Sequence, residues 1–212
     1  MPSAHEAWFS PRRIHAEDAQ AVQKQLIATL VLVVVWSRQT LAQSEPNGPA
    51  TCVNQVQQVP NEWRVHIPED QTPVYLSNPP VSGEHYPIWA RWQIHTDPLA
   101  RGYWVHNLEH GGVIFLYRPD APQALIDALV RVYNAIPNDD GCDHPRTVLT
   151  ADPLLDVPWA VTVSGPEISA DDLGVGYQIK ADCIDSEQAL VDFAVIYRNH
   201  SAESICDEGF VP

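Results

Sequence analysis

Methionine is nearly missing from this chain of 212 residues: Met1 is the only one. Met1 would leave with an export signal, so a thioether site for Cu(I) is excluded. Basic residues are scarce too, 12 Lys+Arg against 27 Asp+Glu, for a net charge of −15. Such a surface repels nucleic acid and anionic lipid, attracts cations weakly, and above all keeps a protein soluble. No C-x-x-C pair is present, which argues against a thiolate metal cluster. There is no G-x-S-x-G elbow, no phosphate-binding glycine loop and no basic face. Serine-elbow catalysis, phosphate cradling and nucleic-acid binding therefore find no support.

Long apolar runs are short in supply as well. The clearest, residues 26–36, is about half the roughly 20 residues that a spanning helix needs. Arg12, Arg13 and Lys24 precede it, and Thr40-Leu41-Ala42 follows with small residues. That order reads residues 1–42 as a secretory signal peptide, with an uncleaved anchor as the alternative. No cysteine adjoins the cut, which argues against a lipoprotein anchor. The expected location is therefore periplasmic, cell-surface or extracellular, without stable membrane insertion after cleavage. From Gln43 onward 8 Lys+Arg face 24 Asp+Glu, in a segment of about 170 residues that suits one domain with a sizeable core. Cys52, Cys142, Cys183 and Cys206 all follow the signal, and an even number in an oxidising compartment implies two disulfides. Cys183 and Cys206 flank an expected helix, so we expect them to pair and staple it, leaving Cys52 with Cys142. Sequence alone leaves the other two connectivities open.

Residues 43–70 are polar, with Pro46, Gly48, Pro49 and Pro60, and read as an arm ahead of one domain spanning 71–212. Residues 113–117 form a continuous β-branched and aromatic run, the mark of a buried strand. Asp120 is placed to cap the next helix and Pro122 to lie in its first turn. Leu125, Leu129, Val132, Tyr133 and Ile136 recur at helical spacing before Pro137 ends the pattern. Residues 147–150, 159–164 and 176–183 read as further strands. Asp185, with Gln188 completing a capping box, opens a second helix whose stripe is Leu190, Phe193, Ala194 and Tyr197. The expected fold is α+β: a small, mainly antiparallel sheet with two helices packed on one face.

The chemistry concentrates in His106-Asn107-Leu108-Glu109-His110-Gly111-Gly112. Imidazoles and carboxylates bind divalent metals or move protons near neutral pH. H-x-x-E-H is also the helical signature of inverted-zincin peptidases. Here Gly111 and Gly112 stop a helix at once and a strand follows, so the run reads as a turn and a peptidase is disfavoured. His85 and His95 form a second cluster. Three imidazoles, His85, His106 and His110, with Glu109 or water, would satisfy zinc or copper(II). The alternative is a set of histidines that only bond carbonyls or Glu109 to stabilise the turn. His66, His144 and His200 stand alone in polar surroundings and read as surface residues. The tryptophans read as core and rim packing.

Ser82-Gly83-Glu84-His85-Tyr86-Pro87 followed by His106-Asn107-Leu108-Glu109-His110-Gly111-Gly112 and a strand ending at Tyr117 resembles the pattern of the bacterial domain-of-unknown-function 3105 family. The resemblance covers roughly residues 72–197. It implies an exported or membrane-anchored protein whose activity is not established. It singles out His85, His106, His110 and Glu109 as pattern positions, while His95 and the four cysteines lie outside it. The leading expectation is an exported domain binding copper(II) or zinc through His85, His106 and His110, with Glu109 as ligand or orienting partner. The alternatives are a metal-dependent or acid–base hydrolase using Glu109 as base, and a metal-free envelope binding or structural module.

Overall fold

Val113–Tyr117 (β4) is apolar without alternation because both of its faces are covered. In the computed structural model, which describes residues 52–210, β4 lies inside a five-stranded sheet. The other strands are Gln57–Pro60 (β1), Thr147–Ala151 (β5), Trp159–Val163 (β6) and Val175–Ala181 (β7), in the order β1-β7-β6-β4-β5. Only the β4–β5 pair is parallel; the other three pairs are antiparallel. A separate short pair joins Val65–His66 (β2) to Glu84–His85 (β3) in parallel. The fold is α+β, and the helices among the described residues are Arg101–Glu109 (α1), Gln123–Ala135 (α2) and Glu187–Tyr197 (α3).

Strand alternation divides the core. Val113 and Phe115 of β4, with Trp159, Val161 and Val163 of β6, meet Leu129 and Val132 of α2 and Leu190, Phe193 and Ala194 of α3. Ile114 and Leu116 point the other way, onto Trp92 and onto Trp104, Val105 and Leu108 of α1. Two helices thus share one face, as the apolar stripes implied, and a third covers the opposite face. Each fully buried side chain of this size contributes roughly 1.5–3 kcal/mol relative to exposure. The sheet is consequently the rigid floor on which α1 stands.

Several local expectations are corrected. Residues 106–109 belong to α1, with His110 as its C-cap, rather than to a turn. Asp120 does not cap α2: its carboxylate pairs with Arg118, and Pro122 stands at the cap position without a side-chain bond. The cap of α3 is Ser186, whose hydroxyl accepts from the Ala189 amide at 3.2 Å. Asp185 is taken by the N-terminal segment, accepting from the Asn54 amide at 2.8 Å, and Gln188 donates to Asp192 at 2.9 Å. The polar stretch expected as a free arm contributes β1 and β2; its exposed edge residues explain its polar composition.

The disulfides are Cys52–Cys183 and Cys142–Cys206, not the expected pairing. Hydrogen bonds from Asn54 Nδ2 to the Cys183 carbonyl and from the Asp185 amide to Asn54 Oδ1 bring the N-terminal segment to the end of β7. Cys206 lies instead on a C-terminal strap crossing the 138–146 loop, where His144 Nε2 donates to its carbonyl at 3.0 Å. Among the described residues no helix is long and apolar enough to cross a membrane. The signal expected at residues 1–42 lies outside the described residues.

Peptide mapping without reduction should recover Cys52 linked to Cys183 and Cys142 linked to Cys206. Replacing both Cys52 and Cys183 by Ser opens a link that spans 131 residues, and should lower the unfolding free energy by about 2–5 kcal/mol in urea titrations. A Cys183–Cys206 peptide would contradict the connectivity.

Candidate metal centre

Two short segments build the site. In the β2–β3 pair, His66 stands opposite His85, so the ladder sets their rings 4.5 Å apart. Ser82 holds this pair in place: its hydroxyl accepts from the Glu62 amide at 2.6 Å. The next residue, Gly83, presents its carbonyl to His85 Nδ1 at 2.8 Å.

The second segment is α1. Its end is a Schellman closure: the Gly112 amide donates to the Asn107 carbonyl at 2.8 Å and the Gly111 amide to the Leu108 carbonyl at 3.1 Å. Gly111 takes φ +81°, and a Cβ at Gly112 would meet the Trp92 ring at 2.5 Å. The two glycines therefore end the helix only after it has carried His106, Glu109 and His110 onto one side. Asn107 is fully buried and clamps Ala90 from both ends, accepting from its amide at 3.0 Å and donating to its carbonyl at 2.8 Å. It anchors the loop that carries Trp89, whose ring lies 5.1 Å from that of His106 and 4.4 Å from that of His110.

His106 donates its Nδ1–H to the Tyr86 carbonyl at 2.6 Å. With Nδ1 of His85 and of His106 both committed to carbonyls, Nε2 is the nitrogen that carries the lone pair when either ring is neutral. His85 Nε2 lies 2.9 Å from Glu109 Oε2 but off the hydrogen-bonding line, and His106 Nε2 lies 4.0 Å from the same oxygen. His66, His85, His106 and Glu109 each offer a ligand atom within 4.8 Å of all the others. His110 Nε2 approaches His106 Nε2 at 3.1 Å and Glu203 Oε2 at 3.4 Å, and His110 groups with Glu109 and Glu203.

Burial dominates the electrostatics. Desolvation, reinforced by neighbouring imidazoles, lowers both His106 and His110 to about 4. Burial alone would raise Glu109, but the contact with His85 and the fields of His106 and His66 outweigh it and hold the carboxyl below its ordinary range. At neutral pH His106 and His110 thus offer neutral nitrogens beside a charged Glu109 carboxylate.

The residues singled out from sequence all come together here: His85, His106 and Glu109 in one group, His110 in the adjoining one. His66, expected on the surface, is indeed exposed yet joins the cluster. Its local sequence carries no hint of this, since only the long-range β2–β3 pairing brings it in. Glu203 comes from the strap, where its amide donates to the Glu109 carbonyl at 3.2 Å. His95 stays outside the cluster and is tied to the Arg91 carbonyl at 3.0 Å. His144 stacks on Trp92.

The family model for proteins of unknown function DUF3105 matches residues 66–207. The chain belongs to the DUF3105 family. The DUF3105 match reaches beyond residues 72–197 at both ends and so takes in His66 and Glu203. No curated protein and no solved structure matches the chain.

The lowered imidazoles carry a pH signature in metal-free protein. An unfolded histidine titrates near ~6.5, whereas His106 and His110 resist protonation until about 4. Between these values the unfolded chain binds more protons, so stability falls as pH drops through that window and flattens below it. Urea midpoints measured in chelator at pH 7, 5.5 and 4.5 should show this fall. The His106→Gln/His110→Gln double variant should show a smaller one; an equal fall would refute the burial argument.

Proposed function

We propose that this protein is an exported binder of a divalent metal ion, copper(II) or zinc, held by Nε2 of His85 and His106, a ring nitrogen of His66 and the Glu109 carboxylate. The observation that carries this reading is the pair of Nδ1–carbonyl bonds. They leave two buried Nε2 lone pairs beside an ionised carboxylate, which is the arrangement by which proteins orient imidazoles toward a metal. His85 Nε2 faces a carboxylate oxygen 2.9 Å away without a hydrogen bond to it, and a cation between them would satisfy both. Three nitrogens and one oxygen suit a borderline divalent ion. Export is supported by two disulfides, which persist in oxidising compartments.

Binding or carriage of the ion is favoured over hydrolysis. In this reading Glu109 is a ligand of the ion, held beside His85 and His106, rather than a free base. A groove of about 630 Å³, lined by residues including Tyr75, Leu76, Tyr86, Arg101 and Leu154, contains none of the clustered histidines. Tyr86, whose carbonyl accepts from His106, is among its lining residues.

Purified protein reconstituted with copper(II) or zinc at neutral pH and then desalted should retain the ion at near-stoichiometric level. His85→Ala or His106→Ala should lower affinity by more than the roughly 10–100-fold typical of losing an outer partner. Failure to retain either ion after controlled reconstitution would sink the proposal in favour of a metal-free envelope module.

A further inference from the structure

We infer that His110, Glu203 and Glu109 form a second divalent-cation position beside the first, with the Glu109 carboxylate shared between two ions. The inference rests on the metal-binding reading above and extends it from one ion to two.

The ligand atoms of His110, Glu109 and Glu203 lie within 4.8 Å of one another, as do those of His66, His85, His106 and Glu109. Glu109 is common to both groups. A carboxylate has two oxygens and can bridge, as in two-metal centres whose ions sit roughly 3.5–4 Å apart.

His110 is the second observation. It is 2 % exposed, and its Nδ1 has no hydrogen-bond partner among the described residues. His85 and His106, by contrast, have their Nδ1 atoms tied to carbonyls. His110 Nδ1 is therefore free to take the ring's single proton, which leaves the Nε2 lone pair for a cation. Its Nε2 also lies 3.1 Å from His106 Nε2. Two imidazole lone pairs that close repel unless a proton or a metal ion intervenes.

Glu203 arrives by design of the backbone rather than by side-chain chance. The strap carrying it is tied to the end of α1 by the Asn199 amide to the Gly111 carbonyl at 2.8 Å and by the Glu203 amide to the Glu109 carbonyl at 3.2 Å. Cys206, three residues on, is fastened to Cys142. Arg64, a cation whose field reaches both carboxylates, hydrogen-bonds through Nη2 to Ser164 Oγ at 2.9 Å and the Gly165 carbonyl at 3.0 Å, and forms no ion pair with either. Glu109 and Glu203 are thus left to a cation from solution.

The test is a zinc titration of the chelator-stripped full chain against a chromophoric competitor, with stoichiometry read by native mass spectrometry. Wild type should take two ions. Glu203→Gln, a change at a half-exposed side chain, should take one tightly, the second weakening by at least roughly 10–100-fold. Adding His106→Ala should then release the remaining ion. One ion in both wild type and Glu203→Gln overturns the second position and leaves the first standing. Two ions in both overturns the role of Glu203. No ion in either removes the metal-binding reading itself, and this inference with it.

Discussion

The hydrogen bond from His106 Nδ1 to the Tyr86 carbonyl, 2.6 Å long, holds the two halves of the centre in register. It is one arm of a clasp: the Tyr86 amide donates to the Gly102 carbonyl at 3.1 Å, one helical turn before His106. A side chain at position 102 would forbid this approach, since a Cβ there would lie 2.6 Å from the Tyr86 ring. The clasp fixes the rotation of α1 against β3. That rotation determines which edge of His106 faces His85, and the carbonyl determines which nitrogen keeps the proton. Position and protonation state therefore follow from one contact.

Burying several imidazoles and a carboxylate side by side opposes folding. A buried polar atom without a partner costs about 1–3 kcal/mol, and among the described residues His110 Nδ1 is one such atom. The floor beneath offsets this cost. Leu108 and Trp104 of α1 are fully buried against Ile114, Leu116 and Val148 of the sheet. Arg146, buried and paired with Asp139, donates to the His110 carbonyl at 3.1 Å and so satisfies the C-cap of α1. The groups that gain least from folding are held by those that gain most. A site fixed in this way would lose little further entropy on taking a ligand.

The same physics explains what could be read from the chain. β4, α2 and α3 were legible because each has a simple relation to the core: a strand covered on both faces, and two helices with a single apolar stripe. Helix α1 was not, because Gly102, Trp104, Val105, His106, Asn107 and Leu108 are all buried; a helix packed nearly all round has no stripe to display. Its closing glycines do stop it, yet a stop signal says nothing of what precedes it. His85, His106, His110 and Glu109 were legible as a group through their density in two motifs. His66 and Glu203 were not, for each reaches the centre through backbone pairing with a distant segment. Disulfide connectivity failed for the same reason, since it records the path of the chain rather than its local pattern.

The strap makes that path part of the chemistry. Its backbone accepts from both Trp89 Nε1 and Trp92 Nε1 at the Asp207 carbonyl, 3.3 and 3.0 Å away, and the Phe210 amide donates to the Trp89 carbonyl at 2.8 Å. Trp89 in turn lies against His106 and His110. A polar segment with few apolar anchors would ordinarily open and close on its own, because exposed backbone hydrogen bonds give little local stability. The Cys142–Cys206 link restricts that opening by limiting how far the strap can travel. Thiols replace this link in a reducing compartment. The Trp89 cover and the Glu203 carboxylate are therefore held most firmly where oxidation is maintained, so the geometry of the centre depends on the redox state of its surroundings.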